Sequence, residues 1–98
     1  MNLSELTGEM NKFVEKQGWY EPDSKRPQTP RNLAISLALE AGEVLEHLQW
    51  GEVVPDKQAF AGELADVALY LLQLAQVTGI DLEEAIHNKL EINKSRTW

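Results

Sequence analysis

Cysteine is absent from the 98 residues, which excludes disulfides, thiolate nucleophiles and cysteine-based zinc sites and fits any reducing compartment. Positive charge is scarce: nine Lys and Arg stand against sixteen Asp and Glu, a formal charge of -7. With no basic surplus to track a phosphate backbone, polymeric DNA or RNA is not an expected partner. Long apolar runs are missing too. The opening "MNLSELTGEMN" has no basic region followed by an apolar stretch, and "VALYLLQLAQV" is shorter than the roughly 20 residues a bilayer span needs. The expected setting is therefore soluble and cytoplasmic, with no membrane partner. No stretch alternates β-branched and polar residues, which excludes a sheet. What remains is a chain with 43% hydrophobic residues, sized for one domain over residues 1–98 with one modest core.

The apolar period is helical throughout, so the expected fold class is all-α. Leu3, Leu6, Met10 and Phe13 recur at spacings of three and four, which predicts a strongly amphipathic first helix ending near Gly18. The segment "WYEPDSKRPQTP" carries three prolines and no apolar period, and reads as a loop. Thr29 offers an N-cap oxygen and Pro30 suits a first turn, opening a second helix to about Gln49. A third helix is expected from Asp56 or Lys57 to Thr78, stopped by Gly79. Asp81 and Glu84 form a variant capping box that opens a fourth helix reaching nearly to the end.

Basic residues are lacking where they would matter most: helix two has none after Arg31, and helix three has none after Lys57. Both helices nonetheless carry acids on apolar faces. At about 100° per residue, Glu40 falls within the stripe of Leu33, Leu37 and Val44, with Glu43 about 60° away. Glu63 lies in the stripe of Val67, Tyr70 and Leu74, with Asp66 at its edge. One acidic pair at a spacing of three is ordinarily a solvated face. Two pairs inside apolar stripes on successive helices instead aim four carboxylates at one interior. Two carboxylates about 5 Å apart repel by roughly 3 kcal/mol at an effective dielectric of about 20, so protonation or a cation must compensate. A hard divalent ion, Mg²⁺ or Mn²⁺, suits an all-oxygen ligand set, with water positions left for phosphate oxygens. A di-iron centre would need Glu-x-x-His on two helices, and only Glu84 with His87 supplies it. His47 lies one turn after Glu43, but a lone helical histidine is ordinarily not a ligand.

"PRNLAISLALEAGEVLEHLQW", "ELADVALYLLQLA" and "NKLEINKSR" resemble the MazG-like all-α nucleotide pyrophosphohydrolases, especially their dCTP-pyrophosphatase-like branch, over about residues 9 to 96. The shared core is E-x-x-E, a spacer, then E-x-x-D, here Glu40, Glu43, Glu63 and Asp66, with nineteen residues between Glu43 and Glu63. The resemblance implies a four-helix bundle-like, oligomeric fold. It further implies Mg²⁺-dependent hydrolysis of nucleoside triphosphates to monophosphate and pyrophosphate, in nucleotide house-cleaning or control of the dNTP pool. The four acids would hold the metal, with Glu40 or Glu43 activating water. Trp19 and Trp50 resemble walls of the base pocket, Tyr70 a tyrosine beside the metal acids, and Lys89, Asn93 and Arg96 the donors to phosphate or sugar oxygens. The chain departs from the family pattern at Pro27 and Gln28, where relatives often have Phe-His, in a longer loop before Arg31, and at Thr97 and Trp98. A helical oligomer without catalysis, regulatory or structural, is the alternative on the same fold.

Helix three is apolar almost all round from Val67 to Val77, more than a single copy of this size is expected to cover. Some of Ala65, Leu69 and Leu72 are therefore expected to meet another subunit. The resemblance agrees, and the expected assembly is a homo-oligomer, a tetramer ahead of a dimer.

Overall fold

The computed structural model describes residues 1–97; Trp98, part of the divergent ending noted above, lies outside the described residues. Four α-helices follow one another: α1 (Leu3–Lys16), α2 (Pro30–Glu46), α3 (Lys57–Val77) and α4 (Leu82–Lys94). Each begins at a side-chain cap that accepts from a backbone N–H three residues on: Asn2 from Glu5, Thr29 from Asn32, Asp56 from Ala59 and Asp81 from Glu84, over 2.8–3.2 Å. These bonds satisfy donors that a helix start leaves orphaned. α2 stops at Glu46, short of the expected Gln49, so Trp50 stands on the following turn rather than on a helical face.

Two glycines in the left-handed region end α1 and α3. At Gly18 (φ 75°) the Trp19 N–H returns to the Val14 carbonyl at 3.2 Å and the Gly18 N–H to Glu15 at 2.9 Å. At Gly79 (φ 72°) Ile80 returns to Ala75 and Gly79 to Gln76 in the same way. This paired return is the Schellman motif, and a side chain with a Cβ would be strained at either glycine.

α2 and α3 form the central pair. They run antiparallel: Gln28, just before α2, bonds Gln73 near the end of α3, while His47 at the end of α2 meets Phe60 and Glu63 near the start of α3. α1, the most amphipathic of the four, lays Met10 and Val14 against Leu72 of α3. That contact corrects one expectation: Leu72 is only 6% exposed and belongs to the core within the chain, not to a contact between subunits. The wheel identified α3 as apolar all round but did not say which side α1 takes. Leu64, Leu69 and Leu71 remain exposed. α3, at 21 residues, is also long and apolar enough to cross a membrane by length and composition, although its apolar run is not. Here it pairs with α2 through acids as well as leucines.

α4 meets the core at its first residue, the partly buried Leu82, which packs against the cluster of Met10, Val14 and Leu72. None of its residues is fully buried, and Ile86, Leu90 and Ile92 are about half exposed. Accordingly the Cα radius of gyration is 15.7 Å, against about 13 Å for a compact chain of this length.

Candidate active site

The antiparallel pairing brings the two acidic pairs together across α2 and α3. Carboxylate oxygens of Glu40, Glu43 and Glu63 lie within 4.8 Å of one another. Asp66, one turn after Glu63, is outside that tight group but close enough for its charge to act on both Glu40 and Glu63. Burial pushes the Glu40 carboxyl above the usual range, helped by a hydrogen-bonding contact with Glu43 and by the charges of Glu43, Asp66 and Glu63. For Glu63 the contact with Glu43 is the largest cause of the same upward shift, then burial, with His47 opposing. Glu43, itself exposed, is therefore the hub the other two share.

One oxygen of each partner is stranded. Glu40 Oε2 and Glu63 Oε2 are buried with no hydrogen-bond donor, and the nearest base, His47 Nε2, is 3.9 Å from the other oxygen of Glu63. Buried oxygens are ordinarily satisfied. Two orphaned carboxylate oxygens on members of the same cluster fit a hard divalent cation, which Glu40, Glu43 and Glu63 would hold with Asp66 alongside. His47, its ring edge-on to Phe60 at 5.6 Å between centroids, packs beside the acids rather than against Glu43 as the one-turn spacing suggested.

Beside the acids opens a cavity of about 790 Å³ between α1, α2, α3 and the loop before α2. Asp66 belongs to its wall as well as to the acid cluster, and so joins the two. The Schellman turn at Gly18 delivers Trp19 to this cavity, edge-on to Phe13 at 5.6 Å between ring centroids. Tyr70 lines it one turn beyond Asp66.

Of the residues singled out in the sequence, the structure thus gathers Glu40, Glu43, Glu63 and Asp66 at the cluster and Trp19 and Tyr70 at the cavity. It leaves the others elsewhere within one copy: Trp50 is 91% exposed and does not line the cavity, and Lys89, Asn93 and Arg96 lie on or just after α4, away from it. The cavity takes its positive charge instead from Lys25 and Arg26, which sequence reasoning passed over. The Arg26 guanidinium lies over the Trp19 ring, 5.5 Å from its centroid. The signal was the adjacent basic pair in "SKRP", hidden by reading that segment only as a loop. Gln73 was likewise missed as a cavity residue, whereas Gln28 stood out as a departure from the family pattern beside the base pocket; their bond at 2.6 Å pins the loop to α3.

The chain is similar to known proteins named as nucleotide-hydrolysing enzymes. The chain is 38% identical over 85 residues to human dCTP pyrophosphatase 1, an alignment covering 78% of this chain and 50% of that protein. A dATP/dGTP diphosphohydrolase of Cyanophage S-2L is 43% identical over 49 residues, 49% of this chain and 47% of the phage protein. The chain spans about half the length of the dCTP pyrophosphatases it matches. A crystal structure of a pyrophosphatase from Archaeoglobus fulgidus superposes with a TM-score of 0.79 at 33% identity, covering 93% of this chain and 87% of that one. The profile of the MazG-like family matches residues 35–97, which include all four clustered acids, and the chain belongs to that family.

Proposed function

We propose that this chain is a nucleoside triphosphate pyrophosphohydrolase, cleaving (deoxy)nucleoside triphosphates between the α and β phosphates and serving nucleotide house-cleaning or dNTP pool control. The observation that carries this reading is the pair of stranded oxygens, Glu40 Oε2 and Glu63 Oε2, set next to a cavity with which the cluster shares Asp66. The names of the relatives, a dCTP pyrophosphatase and a dATP/dGTP diphosphohydrolase, support a deoxynucleotide as substrate.

The residues divide the work. Glu40, Glu43, Glu63 and Asp66 hold Mg²⁺, or Mn²⁺, which when bound offsets negative charge on the phosphates and the leaving pyrophosphate. Glu43 is the exposed member of the cluster and the one both neighbours lean on. It is placed to orient a water and take its proton as the water oxygen bonds the α-phosphorus and the bond to the bridging oxygen breaks. Trp19 and Tyr70 enclose the base, while Lys25 and Arg26 meet phosphate oxygens, where cations are needed opposite a polyanion. The loop keeps them in place through Gln28 and through Tyr20, whose hydroxyl donates to Asn11 of α1 at 2.8 Å.

The same reading includes self-association, a tetramer ahead of a dimer. Leu64, Leu69 and Leu71 of α3 and Ile86, Leu90 and Ile92 of α4 are apolar surface that a second copy would cover. In such an assembly Lys89, Asn93, Arg96 and Trp50 would reach a neighbour's site, which gives their family-like positions a use that one copy does not. A chain without cysteine and with this acidic balance suits the reducing cytoplasm.

A panel of NTPs and dNTPs with pyrophosphate as readout tests the proposal. Release with Mg²⁺ or Mn²⁺ that stops in EDTA is the expected result. Release from none of them overturns it in favour of a helical oligomer without catalysis. Light scattering at about 11.1 kDa per particle would overturn the self-association.

A further inference from the structure

Among the described residues Gln73 is the one buried polar residue, at 4% exposure, and it lines the cavity. Its amide has a fixed sense, set by a relay that starts at a group able only to accept. Gln28 Nε2 donates to the Arg26 carbonyl at 2.6 Å, which turns Gln28 Oε1 toward α3. Gln73 Nε2 donates to that oxygen, also at 2.6 Å. Beside Gln73, the Tyr20 hydroxyl donates its own proton to Asn11 Oδ1 at 2.8 Å. Gln73 Oε1 receives no protein donor among the described residues, yet it is not one of the oxygens sealed from the surface. On a cavity-lining side chain, that leaves an acceptor open to whatever fills the cavity. Turning the amide over would set Gln73 Oε1 against Gln28 Oε1, two acceptors with no proton between them, so the sense of the relay is locked.

We propose that Gln73 Oε1 reads the nucleobase, accepting from an exocyclic amino group, so that cytosine and adenine are preferred over the 4-keto bases thymine and uracil, with Gln28 as the positioning residue. This rests on the reading of the cavity as a nucleotide site. A 4-keto oxygen brought to Gln73 Oε1 would leave two buried acceptors facing each other. A site built around a hydrogen bond rejects a partner that cannot make it by at least about tenfold. The pair Gln28–Gln73 spans 45 positions of sequence and ties the loop to α3 at the cavity wall.

The decisive measurement is calorimetric binding of dCMP and dUMP to the Mg²⁺-loaded protein, paired with pyrophosphate release from dCTP and dUTP. The wild type is expected to bind dCMP at least about tenfold more tightly. Gln73→Met, which keeps length and volume but removes the acceptor, should bring the two affinities within about threefold of each other while dUMP binding is retained. Gln28→Met, which unlocks the amide of Gln73, should shrink the ratio as well, and it decides the matter if Gln73→Met fails to fold. A purely structural role for the relay would lower both affinities together and leave their ratio unchanged. A wild-type ratio near one, no measurable binding of either nucleotide, or a ratio preserved in folded Gln73→Met overturns the inference. Absence of hydrolysis with every triphosphate would sink the proposed activity instead, and the monophosphate ratio would still decide the role of Gln73.

Discussion

The two ends of the α2–α3 pair bury polar groups in opposite ways. At one end stand Glu40, Glu43, Glu63 and Asp66, all of one sign, with two oxygens stranded and two carboxyls held above their usual range. At the other, Gln28, Gln73, Tyr20 and Asn11 are neutral, and Gln28, Gln73 and Tyr20 each donate to a neighbouring acceptor: the Arg26 carbonyl, Gln28 Oε1 and Asn11 Oδ1 in turn. Neutral groups that satisfy each other orient a side chain and tie a loop to a helix. Like charges that cannot satisfy each other stay in a fold only when something from outside completes them. The same helices thus carry a neutral polar cluster and a charged one, distinguished by whether their donors find acceptors within the chain.

The sharpest way to break this contrast is to neutralise the acidic end. Glu43→Gln or Glu40→Gln should lower kcat by about 10²–10³-fold, with Asp66→Asn less damaging because it lies outside the tight group. Neither Gln variant should melt lower than the wild type without metal, since each removes one charge from a repelling set. Near-normal turnover in either variant would take that residue out of the reaction. Next in size is Leu33→Ala, which empties the best-buried side chain among the described residues, 2% exposed, on α2 at the cavity wall. It should cost about 2–5 kcal/mol in chemical denaturation, and a loss under about 1 kcal/mol would show that the ends are held independently.

A smaller effect follows from pH. Because Glu40 and Glu63 hold protons more tightly folded than unfolded, the stability they contribute is complete below the ordinary glutamate value of 4.5 and is lost as pH rises through their raised folded values. The melting temperature of the metal-free protein should therefore fall as pH climbs from about 4.5, and millimolar Mg²⁺ should flatten or reverse that slope. A metal-free melting curve indifferent to pH over that interval would contradict the raised carboxyls. The smallest effect is Trp50→Ala. At 91% exposure its removal should change unfolding free energy by no more than about 0.5 kcal/mol. A tenfold rise in KM with no change in stability would place Trp50 at a neighbouring copy's cavity.

Local chemistry was legible in the sequence. Thr29, Asp56 and Asp81 cap as their side chains dictate, Gly79 ends α3 where a left-handed residue is needed, and the four acids fall on the faces their spacing gives. Which neighbour occupies each face was not, because a helical wheel has no partner in it. Leu72 went to α1 rather than to another subunit, and α4 reaches the core at Leu82 while burying none of its residues fully. The amide relay escaped notice for a related reason: Gln28 and Gln73 lie far apart in sequence, and only the antiparallel pairing makes them neighbours. Arg26 and Lys25 were hidden by a loop whose path depends on Gly18, Tyr20 and Gln28 together.

The shallow seat of α4 has a kinetic consequence. A helix of 13 residues is marginal in water by itself, and this one gains little from burial, so its amide protons should exchange with solvent through local opening long before those of α2 and α3. If a second copy covers Ile86, Leu90 and Ile92, that opening requires dissociation first, and protection along α4 becomes a function of protein concentration while the central pair stays indifferent to it. Deuterium uptake by a single helix would then report how many chains stand together.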